Sequence, residues 1–141
     1  MATDTVQVSP PTRLDPRQLV NTLKKTVNFG DAAVGTGNAF DNSLPIGAFI
    51  IGVKVEIVTV FNAGTTNVLT VGTNPTTYND IVAAGDVDEL TAGVTEVGRA
   101  WGRGLAATVA KPVYAMYTQS GTAGSTGQAI IVITFEGGWQ S

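Results

Sequence analysis

The run Ile46 to Phe61, IGAFIIGVKVEIVTVF, restricts this chain more than any other stretch. From Ile51 onward, Ile51, Val53, Val55, Ile57, Thr59 and Phe61 fall on one side of an extended backbone. Gly52, Lys54, Glu56, Val58 and Val60 fall on the other. A repeat of two is the signature of a strand. The only charges, Lys54 and Glu56, share the second side, so the strand is expected to face a core with one side and water with part of the other. The run is too short, too β-branched and too interrupted by charge for a membrane-spanning helix, which takes about 20 apolar residues. Asn62 to Asn67 supplies turn residues, and Val68-Leu69-Thr70-Val71 resumes the extended pattern. The two segments are therefore expected to form a β-hairpin with a longer loop.

A chain of 141 residues suits one domain that buries roughly two-thirds of its unfolded surface. Its 17 glycines, 20 threonines and only 13% charged residues fit a turn-rich β-protein whose weakly charged surface faces other proteins. There is no cysteine and no histidine. Thiolate metal sites, thiol nucleophiles and the commonest general base are thereby excluded. The start, Met-Ala-Thr-Asp-Thr-Val, has neither the basic opening nor the apolar run of a signal peptide, so synthesis in the cytoplasm of a host cell is expected.

The first residues differ from the rest. Met1 to Lys25 carries Arg13, Arg17, Lys24 and Lys25 against Asp4 and Asp15, a net of +2, whereas the remainder holds four basic and nine acidic groups, a net of −5. Pro10, Pro11 and Pro16 remove three backbone donors and disfavour a central strand. Asp15-Pro16-Arg17-Gln18 reads as a helix start, with Asp15 as cap and Pro16 in the first turn. Leu19, Val20 and Leu23 would then form one apolar stripe. That stripe either plugs the chain's own sandwich or docks on a neighbouring subunit. The division is therefore an N-terminal arm over residues 1–23 and a β-sandwich over 24–141.

Along the body, Lys24 to Phe29 is a candidate first strand, and Ala32 to Ser43 is loop. Asn74-Pro75 is expected to open a short helix with Tyr78, Ile81 and Val82 inward and Gly85 as its stop. Gly93 to Thr108 reads as an exposed loop holding Arg99, Trp101 and Arg103. Val113 to Thr118 and Ala129 to Glu136 are strands, joined by the small-residue connector Ser120 to Gly127, a turn or flexible tip. The last strand is apolar on both sides, Ile131, Ile133 and Phe135 against Ile130, Val132 and Thr134, so it is central or lies under an interface.

Candidate chemistry is sparse. Gly35-Thr36-Gly37 and Gly102-Arg103-Gly104 complete no phosphate-binding loop, and Asp80, Asp86, Asp88, Glu89 and Glu96 match no calcium-loop spacing. Serine or threonine nucleophiles would need a lysine or an N-terminal amine as base, and nothing places Lys54 or Lys111 for that. The Arg99, Trp101, Arg103 interleaving suits single-stranded nucleic acid, but a sequence pI near 4.7 opposes phosphate. Trp139 is read as an interface or core anchor. No catalytic, cofactor or metal residue is assigned, and no nucleic-acid or membrane partner is expected.

Three segments carry a resemblance: Pro45 to Val53, Phe61 to Asn67 with Leu69 to Gly72, and Val113 to Gly121. Together, across roughly Lys24 to Glu136, the chain resembles small virion proteins of tailed bacteriophages, a group in which capsid decoration, or cement, proteins are common. The resemblance implies a jelly-roll-like antiparallel β-sandwich, a homo-oligomer, commonly a trimer, and a place on the outside of a head built from a major capsid protein. It implies no enzyme. The arm is not part of the resemblance, so its contacts follow from composition alone. Residues expected at a subunit or capsid interface are Pro10, Pro11, Arg13, Leu14, Arg17, Leu19, Val20, Leu23 and Trp139. The rivals are a tail or fibre component, a carbohydrate-binding sandwich, which should expose several aromatics, and an enzyme, which should cluster ionisable groups.

Overall fold

The computed structural model describes residues 20–98, 101 and 104–137. Seven strands run in chain order: β1 (Val20–Asn28), β2 (Asn38–Ala39), β3 (Ala48–Thr59), β4 (Thr66–Gly72), β5 (Gly93–Glu96), β6 (Tyr114–Ser120) and β7 (Gln128–Gly137). They form two antiparallel sheets, one ordered β1-β7-β3-β5 and the other β2-β6-β4. The only helical element among the described residues is a 3-10 turn at Gly104–Ala106. The chain is all-β, as its period-two patterns require.

The pairing is nested. β1 pairs with β7 and β2 with β6, as in a long hairpin folded over on itself. An isolated bridge joins Val82 to Val71 on β4, so a vestigial strand continues the second sheet where the segment is too short for a ladder. Both sheets turn alternate residues toward one core: Val53, Val55, Ile57, Ile131 and Ile133 from the first, and Leu69, Val71, Ala115 and Tyr117 from the second. The rings of Phe61 and Tyr117 meet across it with centroids 4.5 Å apart.

The long strand β3 is interior to its sheet, between β7 and β5, as its composition demands. Its expected face is right from Val53 to Ile57, and Phe61, just beyond the strand, is buried as expected. Register shifts between Ile50 and Gly52 and between Ile57 and Thr59 insert an extra residue against β7 at each point. A bulge exchanges the two faces, so Ile50 is 3% exposed while Ile51 is 47% exposed. Thr59 also faces out.

Four further expectations are corrected. The segments β3 and β4 are not a hairpin, because β3 lies in one sheet and β4 in the other. The first strand begins at Val20, so Val20 and Leu23 belong to a strand and not to a helical stripe: Val20 is exposed and Leu23 enters the core. No helix follows Asn74. Its side chain instead accepts the backbone N–H groups of Asn79 at 2.8 Å and Asp80 at 3.2 Å, while Asp80 accepts the Thr73 N–H and hydroxyl. These bonds close a loop in which Thr76 and Tyr78 take left-handed backbone angles, φ 69° and 41°, which no α-helix admits. Gly72 makes that loop possible, since a Cβ there would strike the Asn79 N and the Asp80 carboxylate at 2.6 Å. Finally, the Gly93 to Thr108 segment is not all loop, for it contains β5 and the 3-10 turn.

The bulge yields a direct test. Ile50→Ala should destabilise the fold by about 2–5 kcal/mol, whereas Ile51→Ala, one residue along, should cost roughly 0.5 kcal/mol or less. Chemical denaturation of the two variants checks this, and equal losses would contradict the register.

Candidate interaction surface

The outer face of the β1-β7-β3-β5 sheet is built by strand register. One row across it reads Lys24, Val132, Lys54, Glu96, and the next reads Thr26, Ile130, Glu56, Val94. Directly opposed side chains on a sheet stand about 4.5–5.5 Å apart at Cβ, so cations, carboxylates and aliphatic groups alternate at contact range. Toward the β1 start, Val20 and Phe49 flank Glu136, and the bulge adds Ile51 to that side. Val20, Phe49, Ile51 and Val94 are between 47% and 63% exposed. The face is therefore mixed: its charged groups suit water, and its exposed Val20, Phe49, Ile51 and Val94 are the part that suits contact with a protein.

Sequence reasoning missed most of it. Phe49, Ile51 and Val94 were absent from the expected interface set. Gly52 was the available signal, since an isolated glycine inside a strand pattern marks a bulge. Of the expected interface residues, Val20 lies on this face and Leu23 packs in the core. Pro10, Pro11, Arg13, Leu14, Arg17, Leu19 and Trp139 lie outside the described residues, as do Arg99 and Arg103. Trp101 is not an exposed stacking platform. It is half-buried against the core, and its indole Nε1 donates to the Ile81 carbonyl at 3.1 Å. Tyr78, expected inward, instead stacks on Tyr114 with centroids 4.5 Å apart.

At one end of the sandwich the two connectors are stitched together. The Asn62 side chain accepts the N–H groups of Ser125 and Thr126 at 2.7 and 3.0 Å, and Gly64 donates to the Thr122 carbonyl at 2.7 Å. The small-residue connector is thus a pinned turn. Beneath it lies a buried polar group. Glu89 is 7% exposed, its carboxylate accepts the Leu69 N–H at 2.7 Å, and its backbone carbonyl accepts the Phe61 N–H. Nearby, the Tyr117 hydroxyl donates to Asn67 Oδ1 at 2.6 Å. Burial pushes the Glu89 carboxyl above the ordinary glutamate range, partly offset by its hydrogen bonds; burial and the charge of Glu89 push the Tyr117 phenol up as well. Among the described residues, no group of three or more His, Cys, Asp or Glu is placed to hold a metal ion.

With this geometry in place, the fold can be compared with others. No protein-family model matches the sequence, and no curated protein matches it. Solved structures do. A chain from the acidic stable capsid of the Helicobacter pylori bacteriophage KHP30 is similar at a TM-score of 0.59 and 19% identity, covering 84% of this chain and 88% of that one. A chain from the capsid asymmetric unit of cyanophage Pam1 is similar at a TM-score of 0.59 and 18% identity, covering 95% and 96%. What is shared is the fold. The likeness runs over most of the length of both chains in each comparison.

The raised Glu89 titration sets a pH dependence. Its protonated form is favoured in the folded state, so the stability this confers is fully present below about pH 4.5, the unfolded glutamate value, and is lost as pH rises through the higher folded value. Exposed Asp88 shifts the other way, through its bonds to Thr91 and Leu90, and acts only at lower pH. Melting temperature is therefore expected to rise as pH is lowered from neutral toward 4.5. Glu89→Gln, which keeps an acceptor for the Leu69 N–H, should flatten that rise, and an unchanged pH profile in the variant would contradict the assignment.

Proposed function

We propose that this chain is a structural virion protein that decorates the outside of a bacteriophage head and cements it, acting as a homo-oligomer on a shell of major capsid protein. The observation that carries this reading is the full-length fold likeness to chains of two phage capsids. The nested strand order supports the jelly-roll form of sandwich, a common architecture of capsid domains. An interface-like sheet face and a chain without histidine or cysteine accord with a role built on contacts instead of catalysis. Decoration needs no active site. A symmetric oligomer, with a trimer as the favoured form, converts several weak contacts to identical shell sites into firm attachment.

In this reading the residues before Val20 are the attachment arm. Leu14 and Leu19 supply apolar contact, and Arg13 and Arg17 are offset by Asp4 and Asp15. Burial of an aliphatic side chain contributes roughly 1.5–3 kcal/mol, whereas a nearly neutral arm gives a weak field. Because β1 starts at Val20, the truncation that separates arm from body removes residues 1–19.

Two outcomes are expected. The truncated protein should keep a folded body by circular dichroism and lose attachment to particles in co-sedimentation, while the full chain should stay attached when salt is raised from about 0.05 to 0.5 M, which shortens screening from roughly 14 to 4 Å. Wild-type occupancy by the truncated protein would end the arm assignment. Light scattering of the full chain at micromolar concentration should give a mass above that of one chain; a monomer unchanged by dilution would count against the oligomer.

A further inference from the structure

The two inner strands of the first sheet carry outward rows whose polarity reads alike in both directions. On β3 the outward order is Ile51, Lys54, Glu56, Val58: apolar at the ends and oppositely charged in the middle. Both end residues lie at the register shifts against β7, and they are 47% and 42% exposed. On β7 the outward order is Thr134, Val132, Ile130, Gln128: polar at the ends and aliphatic in the middle, with all four half-exposed. Because Lys54 pairs with Val132 and Glu56 with Ile130, the two midpoints fall on one line across the sheet.

A two-fold axis lays each residue against its mirror position on a second copy, so an isologous contact requires a surface of this kind, with polarity that mirrors about the midpoint and charge that changes sign across it. We propose that two copies pack face to face through the outer side of the β1-β7-β3-β5 sheet, about a two-fold axis that crosses β3 between Lys54 and Glu56. Lys54 of each copy then meets Glu56 of the other, on both sides of a centre where Val132 meets Ile130. Ile51 meets Val58 farther out. On the two edge strands Lys24 falls opposite Thr26 and Glu96 opposite Val94, so no like charges are directly opposed.

The charges also choose the direction of the axis. An axis along the strands would match Lys24 with Glu96 but would set Lys54 on Val132 and Glu56 on Ile130, burying charges without partners. Four strands about 4.8 Å apart and four rows about 6.8 Å apart give each copy a footprint of roughly 500 Å². The pair therefore buries about 1,000 Å², near the lower limit of a specific interface, and is expected to loosen on dilution. The row Val20, Glu136, Phe49 lies beyond the overlap. The inference rests on the homo-oligomer reading and names one of its contacts, which makes a dimer alone and a pair of trimers where a three-fold contact operates elsewhere.

Sedimentation equilibrium of the full-length protein tests this. Lys54→Glu opposes carboxylates at both crossings and Glu56→Lys opposes ammonium groups, so each variant alone should raise the dissociation constant of the pair about tenfold or more. An equimolar mixture of the two variants should associate as tightly as the unaltered protein, since each chain then supplies the charge that the other lacks. Mixing does not repair a fold defect, so this rescue separates contact from stability. Phe49→Ser, outside the overlap, should leave association unchanged. Wild-type association in both charge variants would overturn the proposal, and so would a mixture no tighter than its components. Loss of particle attachment by the charge variants at unchanged mass would overturn it in favour of the shell as occupant. An unaltered chain that is monomeric would remove the homo-oligomer reading as well, whereas an oligomer indifferent to both charge reversals keeps that reading and rejects only this face.

Discussion

The placement of β7 between β1 and β3 is the constraint on which the first sheet depends. Its inner row, Ala129, Ile131, Ile133 and Phe135, is buried throughout, and its register sets that of both neighbours. Leu23 and Val53 face the core because each stands opposite Ile133. A slip of one residue would turn every one of these side chains to the other face. The bulges in β3 are the concession the register makes. They let a 12-residue strand follow a twisted partner, and they place Phe49 and Ile51 outside, where the sheet meets whatever it touches.

Polar groups inside the sandwich do a different job from the aliphatic ones. Asn67 joins the β3–β4 connection to β6, since its side chain accepts from the Ala63 N–H and the Tyr117 hydroxyl and donates to the Ala63 carbonyl. Glu89 ties the segment before β5 to both Phe61 and Leu69. Hydrophobic burial is not directional, so it does not choose between a hairpin and a crossover at Asn62 to Thr65. The long-range bonds from Tyr117 to Asn67 and from Phe61 and Leu69 to Glu89 are directional, and they hold the chain where it passes from one sheet to the other.

That division explains what was legible in the sequence. Period two at Val53 to Ile57 and the double apolarity of Ile130 to Phe135 report local backbone geometry, and the all-β class and central strands follow from them. Which strand pairs with which is a long-range matter. A turn-rich Asn62 to Asn67 reads the same whether it closes a hairpin or crosses between sheets. The helix expected after Asn74-Pro75 was lost to side-chain bonds from Asn74 and Asp80, a local competition that residue types announce only weakly. For the interaction surface, the weakly charged composition pointed to protein contacts in general. The face itself depended on a bulge at Ile51, which Gly52 alone signals, and on a register with β1 and β5, which the pattern does not encode. The expected arm, by contrast, was delimited by charge and proline alone, and its residues 20–23 fall instead in β1.

Nested pairing also orders events in time. A ribosome delivers the end of β1 about a hundred residues before the start of the strand it must pair with, and the end of β3 almost seventy residues before the same strand. Until β7 emerges, the first sheet has no centre, and the aliphatic row of β3 lacks the neighbour that covers its backbone. Contacts this distant in sequence make for slow folding and prolonged exposure of unpaired strands. The first sheet is therefore complete only once β7 has been made, and the net charge of −3 leaves the waiting intermediate with little electrostatic repulsion to keep copies apart.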